Sequence, residues 1–250
     1  MRVALWQGPS PMGNDALADT ALQRALMAAG AAGAAVLVAP EVYLPGYNQN
    51  DIPARAISQA RAQSRLAGYC RSAGCGLVVG YAETAGNTIY NAAIALDAQG
   101  EPMAHYRKIQ LYGPRENALY APGDAYVTFD LLGRKAAMLI CYDIEFAPHV
   151  STLAAMGVTL ILVPTANMQP FTHVAAHTVP AMAANHGLSI VYANYCGVEG
   201  DLSYVGGSLI AGPHGEILAQ AGHTPALLIA DLPDADPARV STQLRDLRKV

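Results

Sequence analysis

The stretch "AAMLICYDIEF", Ala136 to Phe146, runs a string of apolar residues into a cysteine and then places two acids close behind it. A thiol that loses its proton is a nucleophile, and a purely structural cysteine has no need of carboxylate neighbours. Two other reactive residues share that local context: Glu41 follows "AVLVAP" and Lys108 follows "MAHYR". Thiol, carboxylate and ammonium are the types needed for nucleophilic attack, proton transfer and stabilisation of negative charge. Each also has an ordinary reading. A cysteine ending a strand is a small buried hydrophobe, Glu41 is a solvent-facing or turn-capping acid, and Lys108 forms an exposed basic pair with Arg107.

All three stand at the carboxyl ends of strand-like runs, where open α/β sheets hold their ligands. The remaining chain alternates strand-like and helix-like segments. "RVALWQ" reads as a strand, and Asn14 or Asp15 caps a helix that stops near Gly30 or Gly33. "AVLVAP" is a buried strand, Ala54 to Ala73 a helix and "GLVVGYAE" a strand. Hairpins are expected at "TIYNAAIALDAQGEPMAHYRK", at "YVTFDLLGRKAAMLIC" and at "GGSLIAGPHGEILAQAG". A helix after Pro148, strands "VTLILVP", "LSIVYANYC" and "ALLIADL", and a helix over Thr172 to Asn185 complete the pattern. Interspersed hairpins and helices predict a layered α/β sandwich rather than one parallel sheet, with sheets covered on both faces.

The 250 residues fit one large α/β domain, 1–250, with a polar tail at 233–250 expected to serve subunit contacts. Hydrophobic residues make up 52% and charged residues 14%, which predicts apolar surface buried in a homodimer or larger homo-oligomer. A net charge of -4 gives no footprint for nucleic acid and no polybasic run for a membrane surface. "LMAAGAAGAAVLVAP" is too short for the ~20 apolar residues of a spanning helix. No signal peptide is visible, and four cysteines without a CxxC pair do not form a disulfide framework, so a reducing cytoplasm is expected.

The blocks "VAPEVYLPGY", "HYRKIQLYG" and "LICYDIEF" resemble the three signature blocks of the nitrilase (carbon–nitrogen hydrolase) superfamily, and "LILVPTANM", "VYANYCG" and "GGSLIAGPHGEILA" continue the likeness in the family's order. The resemblance implies a four-layer αββα sandwich, no cofactor, no metal and a catalytic triad falling on Glu41, Lys108 and Cys141, with the family's second glutamate on Glu116. It implies an amidase that forms a thioester on Cys141: Glu41 as general base, Lys108 beside the oxyanion, the Tyr142 backbone N–H as second oxyanion donor, and Glu116 positioning the amide or tuning Lys108. A thiol with a reference pKa near ~8.5 needs such a base at neutral pH. "PTANM" and "VYANYCG" are most similar to the branch acting on ω-amino amides such as 5-aminopentanamide. N-carbamoyl amino acids, dicarboxylic monoamides and nitriles are the alternatives within the class, and a catalytically inactive binding protein is the alternative outside it. The chain departs from the family at Ala147, where a proline is usual, and at Ala181 and Ala184, where an arginine and a glutamate are usual.

Other signals have plainer readings. Asp143 and Glu145 read as acids at a helix N-terminus, part of the scaffold. His173 and His177 lack the glutamate of H-E-x-x-H and a third ligand. Ser208 lacks the G-x-S-x-G context, and Cys70, Cys75 and Cys196 read as inert core thiols. Tyr43, Tyr112, Asn167, Met168 and Tyr195 fall near strand ends and either pack or line a pocket. Arg115 is the candidate for a substrate carboxylate, and His149 or His186 would have to partner Cys141 in a papain-like mechanism.

Overall fold

The computed structural model describes residues 1–248, Leu244 by its backbone alone; Lys249 and Val250, the end of the expected tail, lie outside the described residues. The first half of the chain runs β1 (Arg2–Gln7), α1 (Asp15–Ala31), β2 (Val36–Val38), α2 (Ile52–Arg55), α3 (Gln59–Ala73), β3 (Gly76–Ala85), β4 (Thr88–Leu96), β5 (Pro102–Arg107) and α4 (Gly113–Leu119). The second continues with β6 (Thr128–Leu131), β7 (Arg134–Met138), a 3-10 turn at Cys141–Glu145, α5 (Ala147–Ala155), β8 (Leu160–Pro164), a π-helical turn at Val174–Thr178 and α6 (Val179–His186). β9 (Ser189–Ala193), β10 (Cys196–Glu199), β11 (Leu202–Val205), β12 (Leu209–Ala211), β13 (Ile217–Gln220), β14 (Ala226–Asp231) and α7 (Gln243–Asp246) follow.

Two six-stranded sheets result, ordered β14-β1-β2-β3-β4-β5 and β13-β12-β9-β8-β7-β6. Each has three parallel strands at its centre, β1-β2-β3 in one and β7-β8-β9 in the other, with antiparallel neighbours outside them. The period-2 alternation of side chains assigns their faces. Val3, Leu5, Val36, Val38 and Val78 share a core cluster with Ile161, Val163 and Ile190 of the other sheet. Ala4, Leu37, Leu77 and Val79 point the opposite way, onto Leu22, Leu26 and Leu66 of α1 and α3. Helices α5 and α6 cover the outer face of the second sheet, which gives the αββα sandwich that the resemblance implied. Among the described residues no helix is long and apolar enough to cross a membrane.

The differences from the sequence reading are local. The helix expected from Ala54 is two: Ile57 pairs as an isolated bridge with Glu83, and Ser58 caps α3 by accepting from the Arg61 N–H. Helix α4, which follows "LYG", and the β10–β11 hairpin were not anticipated. Asn14 caps α1 as expected, its Oδ1 accepting from the Leu17 N–H at 3.1 Å. Helix α5 begins at Ala147 and carries Pro148 in its first turn, where no N–H is required; the proline usual at 147 is thus supplied one residue later. On α6, Ala181 is exposed and Ala184 lies half-buried close to where a side chain at Gly215 would be.

One close approach positions the site. The chain leaving β2 passes so near β3 that a Cβ on Gly80 would lie 2.4 Å from the Val42 nitrogen and 2.5 Å from the Glu41 Cα. Both are backbone atoms and cannot step aside as a side-chain tip would. Gly80→Ala should therefore lower stability by about 1–3 kcal/mol and displace Glu41. Thermal melting and turnover should fall together, whereas a Gly80→Ala protein with wild-type melting and rate would show that the loop has slack.

Candidate active site

Lys108 directly follows β5 and is fully buried, its backbone N–H donating to the Asn91 carbonyl on β4 at 2.8 Å. Its Nζ donates to Glu41 Oε1 at 2.6 Å and to Glu116 Oε1 at 2.8 Å, and both carboxylates are as fully buried as the ammonium. Glu116 comes from α4 and also accepts from the Tyr47 hydroxyl at 2.7 Å and the Tyr112 N–H at 2.9 Å. Glu41 is tied to the opposite sheet, its N–H donating to the Thr165 carbonyl at 3.3 Å. The Tyr195 hydroxyl donates to the Glu41 carbonyl at 2.8 Å, and Asn91 Nδ2 donates to Oε1 at 2.7 Å. Glu41 Oε2 is buried without a partner.

Cys141 lies three residues past β7 at φ +45, and Val42, next to Glu41, lies at φ +42. Such left-handed conformations cost energy in residues with a side chain and concentrate at functional sites. The turn is held by Asp143, which is fully buried. Its carboxylate accepts from the Ile140 N–H (3.0 Å), the Gln110 N–H (2.7 Å) and the Tyr106 hydroxyl (2.8 Å). Asp143 lies in the first turn of the 3-10 helix, in keeping with its reading as a scaffold acid at a helix N-terminus, and it acts there as a buried bracket between two loops.

The electrostatics follow from burying two carboxylates with one ammonium. Burial raises the Glu41 carboxyl to about 7, with Glu116 adding to the rise and Lys108 and Asn91 opposing it. Burial alone would lower the Lys108 ammonium, but Glu116 and Glu41 outweigh it and hold it well above its ordinary value. The Cys141 thiol is raised well above its ordinary value by burial and then by the Glu41 charge; Lys108 and the Ala166 backbone N–H pull the other way without prevailing. The resting sulfur therefore keeps its proton.

Cys141 opens on a cavity of about 250 Å³. Its walls are aromatic, with Tyr112 edge-on to Tyr142 (5.3 Å between ring centres) and to Phe171 (5.9 Å). Asn167 and Met168 line it as well, so the structure brings Tyr112, Tyr142, Asn167 and Met168 together around one cavity. Tyr43 and Tyr195 do not line it; they are buried and stack on each other. Glu145, read with Asp143 as a scaffold acid, instead lines the cavity half-buried, its carboxyl raised by burial against the counter-pull of His173 and Lys108. Arg115 is spent on the carbonyls of Tyr47 and Gln49, both at 2.8 Å.

The histidines offered for other chemistries are placed elsewhere. His149 sits between Gln110 and Tyr126, and His186 contacts the Met182 carbonyl. His173 lines the cavity, but among the described residues no group of three His, Cys, Asp or Glu side chains could hold a metal ion. Cys70 and Cys75 are buried, their thiols pushed by burial to about 12 and about 11, and Ser208 is a buried link between Gln7 and Asn194. The sequence reading missed Asn91, Tyr47, Phe171 and the cavity role of His173. Only Asn91 carried a signal, a polar amide in the otherwise apolar strand run "YNAAIAL".

A family model described as carbon-nitrogen hydrolase matches residues 2–240. The chain belongs to the carbon–nitrogen hydrolase family. It is accordingly a hydrolase of carbon–nitrogen bonds, of the amidase type. A hydrolase encoded in the pqqF 5′ region of Pseudomonas protegens is 41% identical over 238 residues, 93% of this chain and 82% of that protein. An (R)-stereoselective amidase of Pseudomonas sp is 31% identical over 218 residues, 86% of this chain and 78% of that one. An amidase from Nesterenkonia sp. AN1, solved with acrylamide joined by Michael addition to its active-site cysteine, superposes with a TM-score of 0.89 at 37% identity over 93% of each chain.

In this carbon–nitrogen hydrolase the Asp143 bracket sets the cysteine turn from two directions. Replacing Asp143 with alanine should strand three donors and cost about 2–3 kcal/mol, read as a lower melting temperature. It should also slow alkylation of Cys141 as the turn relaxes. A variant that melts and reacts like the wild type would show that the turn holds itself.

Proposed function

We propose that the enzyme hydrolyses a small aliphatic carboxamide to carboxylate and ammonia through a thioester on Cys141. The observation that carries this reading is the division of the Glu41 carboxylate. Oε1 is occupied by Lys108 and Asn91, while Oε2 is buried and free to take a proton. As Sγ attacks the amide carbonyl carbon, Glu41 Oε2 removes the thiol proton. The carbonyl oxygen becomes an oxyanion, met by the Lys108 ammonium and the Tyr142 N–H. Collapse breaks the C–N bond, and Glu41 returns its proton to the departing nitrogen, leaving ammonia and the thioester. Water then attacks the thioester as Glu41 takes its proton; the C–S bond breaks, the proton passes back to sulfur and the carboxylic acid leaves. Glu116, with no free oxygen, holds Lys108 in place.

A protonated base cannot start this sequence. The rate constant kcat/KM should therefore fall as pH is lowered through about 7, where Glu41 takes up a proton. Cys141→Ala should abolish ammonia release without lowering the melting temperature, and mass spectrometry of the wild type quenched during turnover should find the acyl group on Cys141. Turnover by Cys141→Ala would end the thioester mechanism.

Within this class we favour short ω-amino amides such as 5-aminopentanamide. The support is chemical: the cavity wall carries Glu145 and aromatic faces suited to a cation, and among the described residues neither lysine nor arginine lines it. A carboxylate-bearing substrate would need the guanidinium that Arg115 has committed to backbone. Ammonia release from 5-aminopentanamide should exceed that from pentanamide, and Glu145→Gln should cost the amino amide about fivefold, the scale of a partly exposed ion pair, while leaving pentanamide unchanged. Equal loss on both amides would count against a cation subsite.

A further inference from the structure

We propose that Asn91 is a positioning residue for the base, holding Glu41 Oε1 jointly with Lys108 so that Oε2 alone is presented for proton exchange. Asn91 lies on β4, fully buried, and touches two members of the site at once. Its side-chain Nδ2 donates to Glu41 Oε1 at 2.7 Å, while its backbone carbonyl accepts the Lys108 N–H at 2.8 Å. With Lys108 Nζ also on Oε1 at 2.6 Å, two donors converge on one oxygen and none reaches the other. A carboxylate held by one donor could rotate and exchange its oxygens; two donors on Oε1 fix the torsion. The orientation of the amide is not arbitrary, since only its NH2 end can donate to a carboxylate.

The other end of the same side chain argues for function over packing. Asn91 Oδ1 is buried with no partner, a standing cost that an apolar residue would not carry. The strand continues Ala92, Ala93, Ile94, all buried, so an aliphatic side chain would suit the position if packing were the whole requirement. The groups facing Glu41 from the surrounding elements are Lys108, Glu116, Cys141 and the phenols of Tyr47, Tyr120, Tyr195 and Tyr204. Of these only Lys108 bonds the carboxylate, and it cannot do alone what Asn91 and Lys108 do together.

The inference rests on Glu41 being the base, and the experiment separates the two. Full-length Asn91→Leu and Asn91→Asp are compared with wild type by the pH dependence of kcat/KM on a short amide and of Cys141 alkylation by iodoacetamide. Loss of the donor should move the acid limb of both profiles up by about one pH unit, lowering kcat/KM about tenfold below the limb, with KM little changed. Asn91→Asp, which keeps the shape and sets a second carboxyl against Oε1, should move the limb the same way and decides the matter where Asn91→Leu does not fold. A folded variant whose acid limb coincides with wild type overturns the positioning role, however slow the enzyme. Glu41→Gln is the control: if it retains turnover, the base assignment falls and this inference with it; if it is inactive while the Asn91 limb stays put, only the role of Asn91 falls.

Discussion

Lys108 carries one positive charge into a region that also holds the carboxylates of Glu41 and Glu116, and water reaches none of the three. Taking charges out of water is expensive unless geometry and additional hydrogen bonds compensate. Here the compensation is uneven. Glu116 has both oxygens engaged, by Lys108 and Tyr47 on one and the Tyr112 N–H on the other. Glu41 has one oxygen engaged and one bare. Burial, with the Glu116 charge adding to it, raises the Glu41 carboxyl to about 7. Burial, with the Glu41 charge adding to it, raises the Cys141 thiol well above its ordinary value. Carboxylate and thiol are thus linked: in the proposed mechanism, the sulfur becomes a nucleophile only as Glu41 accepts its proton. The arrangement costs stability. Between the ordinary carboxyl range and about pH 7 the folded chain holds a proton at Glu41 that the unfolded chain has released, so this group makes folding less favourable as pH rises through that window.

That electrostatic arrangement needs four loops from two sheets to meet. Glu41 and Lys108 come from one sheet, Cys141 and Thr165 from the other, and the Glu41 N–H to Thr165 carbonyl bond joins them. Val42 and Cys141, both in the left-handed region, mark where the two loops turn most sharply. Each turn is held by contacts made elsewhere: the absent side chain at Gly80 and the Tyr195 hydroxyl at the first, the Asp143 bracket at the second. The strained residues persist because the rigid sandwich on either side over-determines them.

The parts of this design that follow from periodicity were legible in the sequence. Apolar runs ending at Pro40, Arg107 and Ile140 placed Glu41, Lys108 and Cys141 at strand ends, and hairpin turns such as "DAQGEP" fixed the antiparallel neighbours. Contacts between distant residues were not legible. Asp143 reads locally as a helix-start acid, and nothing in "CYDIEF" reveals that Tyr106 and Gln110 donate to it. Glu145 has the same local wording but faces the cavity, because a 3-10 turn separates residues 143 and 145 onto different sides. Helix α4 is only seven residues long and opens with Gly-Pro, a turn signal, so the element that carries Glu116 looked like loop. For Tyr43 and Tyr195 the position at strand ends left packing and pocket lining both open; they stack on each other, and the Tyr195 hydroxyl holds the Glu41 carbonyl.

Chemistry and selectivity are drawn from different layers of the molecule. The charged groups sit beneath the surface at strand ends, each held by backbone or by a buried partner. The cavity walls belong to the loops after β2, β5, β7 and β8, which supply Tyr47, then Tyr112, then Tyr142 and Glu145, then Asn167, Met168 and Phe171. Of these wall side chains Tyr47 donates to Glu116 at 2.7 Å and Asn167 to the Phe171 carbonyl at 2.9 Å. Tyr112 meets the buried charges only through its backbone N–H. Wall residues other than Tyr47 can therefore change type without unpairing the charges beneath them, whereas a change at Tyr47, Glu116, Asn91 or Asp143 would leave a buried donor or acceptor unpaired. One scaffold can in this way hold its buried charges constant while its loops reshape the cavity on which Cys141 opens.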